Sequence, residues 1–212
     1  MVDIIPGIFE KDWSLLEQKL KMAYGHTDWV QIDFADGTLV PAVSSLDITK
    51  FVGITHDFPK LFFEAHLMVD MPEKYIKPLS DAGFKRVIAH VECHDPRVFL
   101  EEARFESIEV GLAIDAGTDL EQLEPFLEEI DIVLVMTVEA GASGQKFMPE
   151  TLEKIKTIRR NCPDLPIEID GGINETTAKL VKEAGATRLV STSFVFQDPT
   201  AVGAAVSTLQ SA

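Results

Sequence analysis

Two acidic residues, Asp33 and Asp170, each end a short apolar run, and each is followed closely by a glycine, Gly37 and Gly171 respectively. An apolar strand that ends in an acid and a glycine turn carries that acid to the edge of a sheet. Two such acids that are distant in the sequence can meet there across one pocket. Carboxylates on opposite sides of a ligand can remove one proton and return another, so we expect acid–base chemistry here.

A third apolar run, residues 62–69, carries His66 near its end. Imidazole nitrogens and carboxylate oxygens are common ligands of divalent metal ions. Asp33, His66 and Asp170 on converging strand ends therefore predict a divalent metal ion held between two proton-transfer groups.

Strand-like and helix-like segments alternate along the whole chain. The strand-like segments are rich in Val, Ile, Leu and Phe and alternate little, as expected of parallel strands that are covered on both faces. The predicted strands are 2–5, 29–34, 61–68, 86–91, 108–114, 130–136, 166–169 and 188–190.

The segments between these strands have apolar residues at helical spacing. Residues 12–23 and 149–160 are predicted helices, and Pro149 suits the first position of the second one. Asn174 and the run 117–119 have side chains of the type that caps the start of a helix.

About eight strand–helix units follow one another without a linker, a low-complexity tract or a run of like charges. This order predicts an α/β fold, a single (β/α)8 barrel over residues 1–212. An open doubly wound sheet is the alternative, because alternation does not prove closure. In a barrel the chemistry lies at the carboxyl ends of the strands, where Asp33, His66 and Asp170 fall.

The composition sets limits on partners and compartment. Hydrophobic residues make up 46% of the chain and the formal net charge is −16, so the surface repels nucleic acids and anionic membranes. We therefore expect neither partner, and a site for an anionic substrate has to be built locally. Cys93 and Cys162 lack metal or redox spacing, and no signal segment or membrane-spanning run is seen, which indicates a cytoplasmic protein.

Several short motifs, in order and at matching spacing over nearly the whole chain, resemble the ribulose-phosphate 3-epimerases. The matching segments are 33–37, 65–69, 90–92, 111–114, 133–138, 144–147 and 169–174. Each segment is weak alone. Together they are specific for this superfamily of ribulose-phosphate-binding TIM barrels, and less so for the reaction.

The resemblance implies inversion of the carbon beside the ketone of a pentulose 5-phosphate, with Asp33 and Asp170 as the acid–base pair. Members of the family hold a divalent ion with two histidines and these two aspartates, and the ion stabilises an enediolate. His66 matches one of the histidines. Met68 and Met136 match an apolar cap beside the intermediate.

Two residues depart from the family pattern close to the predicted metal. Gln31 stands where the family has its other histidine ligand, and Gly7 stands where it has a serine near the substrate. A glutamine carbonyl is a harder ligand than imidazole, so a site with Gln31 suits Mn²⁺, Mg²⁺ or Fe²⁺ better than the zinc common in the family. A site without any metal is the alternative.

The phosphate is expected at the loops that follow strands seven and eight. The resemblance places it against Gly171, Gly172 and Ser193, with Thr192 where the family has glycine. Gly141 and Gly144 are expected to be hinges of a mobile loop after strand six.

Three functions are compatible with these residues. The first is metal-assisted 3-epimerisation of a ketopentose phosphate, ribulose 5-phosphate and xylulose 5-phosphate or a close analogue. A lyase of the same barrel superfamily ranks lower, because those enzymes use an Asp-x-Lys arrangement and no lysine follows Asp33 in this way. The third is a degenerate barrel that binds a sugar phosphate without catalysis. We also expect a homo-oligomer, as in the family.

Overall fold

The computed structural model describes residues 2–44, 47–140 and 145–212. Eight parallel strands close into a barrel in chain order, each paired with the next and β8 paired with β1. The strands are β1 Asp3–Ile8, β2 Trp29–Ala35, β3 Phe62–Met68, β4 Arg86–His90, β5 Glu109–Ile114, β6 Ile132–Met136, β7 Ile167–Asp170 and β8 Arg188–Ser191. The predicted (β/α)8 barrel is confirmed, and the open sheet is excluded.

Seven α-helices pack around the strands in the described part of the chain. They are α1 Trp13–Ala23, α2 Phe51–Asp57, α3 Glu73–Asp81, α4 Pro96–Glu106, α5 Thr151–Asn161, α6 Glu175–Ala184 and α7 Val202–Ser211. Short 3₁₀ turns at Ile48–Lys50, Leu120–Gln122 and Glu124–Phe126 complete the connections.

Two of the predicted helix starts are confirmed and two are corrected. The Asp12 carboxylate caps α1 by accepting from the amide of Ser14, and Asn174 caps α6 in a reciprocal arrangement with Thr177. Pro149 is not the first helical residue, since α5 begins two residues later. The run 117–119 leads into 3₁₀ turns instead of an α-helix, and Pro125 in this segment removes a backbone donor that an α-helix would need.

The barrel interior contains both polar and apolar side chains. Alternate residues of a strand face the same way, so β2 turns Gln31 and Asp33 inward while Val30 and Phe34 pack beneath the helices. The interior surface of several other strands is apolar, formed by a cluster of Ile5, Ile88, Ala113, Ile132, Leu134, Met136, Val138 and Val190. Buried polar side chains lie on β2, β3, β4, β7 and β8, so the interior of the barrel holds polar groups as well as this apolar cluster.

Within the described ranges, no helix is long and apolar enough to cross a bilayer. Both cysteines are free thiols, and Cys93 is buried.

Candidate active site at the carboxyl ends of the strands

The fold brings the three predicted site residues together. Asp33 and His66 are register partners on β2 and β3, and Asp170 ends β7. His66 Nδ1 lies 3.1 Å from Asp33 Oδ1 and 3.7 Å from Asp170 Oδ2. One potential ligand atom from each of the three residues lies within 4.8 Å of the others. The two acids thus reach one shared cavity from separate strands.

Gln31 joins the two acids. Its Nε2 donates to Asp33 Oδ1 and to Asp170 Oδ2, at 2.7 Å in each case. Its Oε1 is buried and has no hydrogen-bond partner within the residues described. The amide therefore holds both carboxylates with its nitrogen, while its carbonyl oxygen is left unsatisfied.

Burial dominates the electrostatics of the site. Burial raises the pKa of Asp33 to about 7, although the hydrogen bond from Gln31 acts in the opposite direction. Burial, with the charge of Asp33 in second place, raises the pKa of Asp170 to about 7. Burial, together with the neighbouring His90, lowers the pKa of His66 to about 4. At neutral pH this histidine is therefore neutral, and the pKa of each aspartate lies close to that pH.

Two further residues extend the site into the barrel wall. His90 is buried, and its Nε2 lies 2.9 Å from Nε2 of His66. Its Nδ1 lies 3.2 Å from Oε2 of Glu92. In the sequence, residues 90–92 form only one of the segments that resemble the family, and neither residue is assigned a role there. The His-x-Glu spacing at the end of β4 was the available signal.

The chemistry of the residues present fits a divalent cation. Two carboxylates and one imidazole converge within coordinating reach, and no lysine or arginine lines this pocket in the described part of the chain. The unsatisfied Oε1 of Gln31 supports the same conclusion, because rotation of the amide would turn that oxygen toward the two carboxylates. Asp33, His66 and Asp170 would hold the ion, with Gln31 as a fourth, oxygen ligand.

The pocket above these residues is formed by the other predicted binding residues. Met68 and Met136 lie on its wall, and so do Gly171, Gly172, Thr192 and Ser193. The remaining lining residues are Phe9, Val138, Gln145, Ile173, Val190 and Ser191. Gly141 and Gly144 lie outside the described residues.

The double glycine after β7 is required by the backbone and by close packing. Gly171 has φ 119° and Gly172 has φ 64°, in the region that disfavours side chains. A Cβ on Gly171 would lie 2.6 Å from Cγ2 of Val138. The turn after Asp170 can therefore hold the carboxylate at the pocket only with glycine at this point.

The side chain of Thr192 occupies the space that a side chain at position 7 would need. A Cβ on Gly7 would lie 2.7 Å from Oγ1 of Thr192 and 2.8 Å from Cγ1 of Val190. Gly7 itself is not among the residues that line the pocket, whereas Thr192 is. A side chain at position 7 would therefore compete with the side chains of Thr192 and Val190 for the same space.

The comparisons with known proteins agree with this geometry. Residues 3–196 match the model of the ribulose-phosphate 3 epimerase family. Ribulose-phosphate 3-epimerase of Schizosaccharomyces pombe is 36% identical over 197 residues, which cover 91% of this chain and 86% of that protein. The enzyme of Bacillus subtilis is 33% identical over 204 residues, which cover 92% of this chain and 93% of that protein.

Solved structures with the same fold have much lower identity. The 3-hexulose-6-phosphate synthase of Salmonella typhimurium superposes with a TM-score of 0.76 at 14% identity, over 99% of this chain and 97% of that one. The 3-keto-L-gulonate-6-phosphate decarboxylase of Vibrio cholerae gives 0.72 at 11% identity, over 99% and 95%. These likenesses show the barrel alone. The family match and the curated relatives show more: this chain belongs to the ribulose-phosphate 3-epimerase family and is an isomerase of the epimerase type.

Proposed function

We propose that this protein interconverts ribulose 5-phosphate and xylulose 5-phosphate by inverting the carbon beside the ketone, with Asp33 and Asp170 as the two proton-transfer groups. The observation that carries the proposal is the convergence of both carboxylates on one amide nitrogen, 2.7 Å from each, at the floor of a single pocket. Inversion requires one group on each face of the substrate, and this pair supplies two.

The two acids are well matched for the exchange of one proton. In the metal-free protein burial raises the pKa of each to about 7, so burial favours the protonated form that one of the two acids needs near neutral pH. The ionised acid takes the proton from the carbon, and the protonated acid delivers its own to the opposite face of the enediolate. The reverse reaction exchanges the two roles.

The enediolate needs electrostatic stabilisation, because a carbon acid beside a carbonyl is far too weak for an unaided carboxylate. A divalent ion at Asp33, His66 and Asp170 supplies Lewis-acid stabilisation of that charge when bound. The residues of the chain do the rest. Met68 and Met136 present apolar surface that keeps water from the reacting carbon, and before the ion binds the amide nitrogen of Gln31 fixes the spacing of the two acids.

We place the phosphate at the loops after β7 and β8. Gly172 and Ser193 both line the pocket. Among residues 2–44, 47–140 and 145–212, neither amide donates to another protein group. Free amides bind phosphate without a local cation, which suits a pocket wall without lysine or arginine in the described chain. The hydroxyl of Thr192 is a further donor at the same rim.

The decisive experiment follows exchange of the substrate C3 proton with deuterated water by NMR. The purified protein is given ribulose 5-phosphate with Mn²⁺, Zn²⁺, Fe²⁺ or Mg²⁺ in turn. We expect xylulose 5-phosphate that carries deuterium at C3. Neither exchange nor epimer with any ion would contradict the proposal and favour a binding role. Exchange and turnover that persist in both Asp33→Asn and Asp170→Asn would contradict the assigned residues.

We also propose that the protein is a homo-oligomer. Light scattering of the purified chain tests this directly, and a monomer at micromolar concentration would contradict it.

A further inference from the structure

A line of four side chains runs from the acid pair into the barrel wall. Asp33 Oδ1 is 3.1 Å from His66 Nδ1, the Nε2 atoms of His66 and His90 are 2.9 Å apart, and His90 Nδ1 is 3.2 Å from Glu92 Oε2. Both imidazoles are buried, so solvent does not complete any of these contacts. The direction of each hydrogen bond is therefore set by the groups themselves.

The direction of these hydrogen bonds is fixed by Glu92, which lies at the end of the line farthest from Asp33. Glu92 Oε1 accepts the backbone N–H of Asp115 at 2.9 Å. Burial would raise the pKa of Glu92, but the hydrogen bond from His90, the positive charge that His90 can carry, and hydrogen bonds from Thr118 and that backbone amide lower it to about 2. A carboxylate only accepts hydrogen bonds, so the ring nitrogen that faces it, Nδ1 of His90, must carry a proton.

The direction then passes through the two rings. When Nδ1 carries the single ring proton of His90, Nε2 has a lone pair, so the contact of 2.9 Å has His66 donating from its own Nε2. The ring planes are 20° apart with centroids at 5.0 Å. With the nitrogens 2.9 Å apart, the rings meet edge to edge and nearly in one plane, as an N–H···N bond requires.

We propose that Glu92 and His90 are positioning residues that hold His66 as the Nε2–H tautomer, so that the Nδ1 lone pair points at the divalent ion site between Asp33 and Asp170. Ligating histidines commonly donate their other N–H to a neighbouring acceptor, which fixes both the tautomer and the ring orientation. Here the acceptor is a second histidine, and a carboxylate fixes the tautomer of that second ring. The inference extends the metal site of the proposed function, but its test requires no substrate.

Glu92→Gln is a near-isosteric substitution that should reverse the direction of the hydrogen bonds along this line. The N–H of Asp115 keeps the amide oxygen of the new glutamine at the Oε1 position, which places its NH₂ group against His90 Nδ1. His90 then carries its proton on Nε2 and donates to His66, whose proton moves to Nδ1 and points at the ion site. Glu101→Gln on the exposed side of α4 makes the same change of charge away from the line and is the matched control.

The test combines ¹⁵N NMR of the histidine rings with calorimetry of metal binding. In the Zn²⁺-loaded protein we expect His90 with one proton, on Nδ1. We expect Glu92→Gln to weaken Zn²⁺ and Mn²⁺ binding by about 10–100-fold and Glu101→Gln to leave it unchanged. A His90 protonated on Nε2 or on both nitrogens, unchanged affinity in Glu92→Gln, or no ion bound to the wild type would each overturn the proposal.

If Glu92→Gln does not fold, the ring spectrum of the wild-type protein still decides the question. A purely structural role for Glu92 would not set the tautomer of a histidine. Absence of epimerase activity would leave both readouts intact, so the failure of the proposed function is distinguishable from the failure of this one.

Discussion

Two polar layers lie one above the other inside the barrel, and their acidic side chains have different hydrogen-bond partners. The upper layer consists of Asp33, His66 and Asp170. The lower layer, here called the arginine layer, consists of Glu64, Arg86, Glu168 and Arg188. His66 and Asp170 each follow a glutamate of the arginine layer by two residues on the same strand, so both layers face the interior.

In the arginine layer every acid has a fixed counter-ion. Arg86 Nη1 donates to Glu64 at 2.8 Å, and Arg188 Nε donates to Glu168 at 2.8 Å. Both guanidinium groups lie against the indole of Trp29, with their Cζ atoms 4.2 and 4.7 Å from the ring centroid. These contacts form a plug of ion pairs at the amino end of the barrel, in which burial and the neighbouring charge of Glu168 still raise the pKa of Glu64.

The upper layer has no such cation in the described part of the chain. Its two carboxylates share only a neutral amide, and burial raises the pKa of each to about 7. The comparison teaches that burial of acids alone does not mark an active site. The acids of the reactive layer are those whose counter-charge can be exchanged, as a proton or as a metal ion.

The largest contrast is expected in activity between neighbours on β7. Asp170→Asn should lower epimerase turnover by at least about 10²–10⁴-fold, because it removes a proton-transfer group. Glu168→Gln, two residues away, should leave turnover per folded molecule within a few-fold. Coupled-enzyme kinetics on folded, quantified protein measures both. Equal losses in the two variants would erase the distinction between the layers.

For the free energy of unfolding, we expect the largest loss from a variant of the arginine layer. Arg188→Met leaves Glu168 without its buried partner and should lower the free energy of unfolding by about 3–5 kcal/mol. Asp3→Asn removes the exposed partner of the same arginine and should cost less than about 1 kcal/mol. Urea unfolding monitored by circular dichroism measures both changes. A small effect of Arg188→Met would show that the arginine layer does not depend on its ion pairs.

The buried carboxyl of Asp33 should make the stability of the metal-free protein depend on pH. The pKa of Asp33 is near 4 in the unfolded chain and about 7 in the native protein, so the native state binds more protons between these values. The metal-free protein therefore loses this stability as pH rises through 7. Asp33→Asn, which carries no charge, should equal the wild type near pH 4 and exceed it by at most a few kcal/mol near pH 8.

Thermal unfolding in chelator across this pH range is the measurement. The same comparison with Mn²⁺ present should favour the wild type at high pH, because the ion replaces the lost protons. A wild-type protein that gains stability over Asp33→Asn as pH rises in chelator would contradict the sign.

The smallest effect is expected at the linked pair near the upper layer. Gly7→Ser brings a Cβ against Thr192 and Val190 and should cost about 1–3 kcal/mol of stability. Adding Thr192→Gly should recover part of that loss, since it removes one of the two contacts. A double-mutant cycle from urea unfolding measures the coupling, and strict additivity would show that the two positions are independent.

The sequence was sufficient to predict the barrel and the three central side chains. An acid at the end of an apolar strand and before a glycine can be placed from local sequence. The strand carries the acid to the rim of the barrel, and the glycine turn leaves its carboxylate exposed to the pocket. Asp33, His66 and Asp170 needed no knowledge of other contacts to be placed together.

The partners of these residues could not be read in the same way. Arg86 and Arg188 were recognised only as the first residues of predicted strands, and nothing local indicates that they meet Glu64 and Glu168 across the barrel. The contact of Gly7 with Thr192 joins opposite ends of the chain. Such pairs depend on the stagger of a closed sheet, which the sequence does not report.

The plug formed by Trp29 and the two arginines makes the barrel a cup with a single mouth. Once ligand fills that mouth, hydrogen ions cannot leave or arrive from below. In the mechanism proposed above, each completed inversion would leave the donor acid without its proton and the acceptor acid protonated, the mirror image of the starting condition. Before another conversion in the same direction, the proton has to return to the first acid. This return has to wait until the product departs and water re-enters, so recovery of the free enzyme is a distinct stage of the cycle.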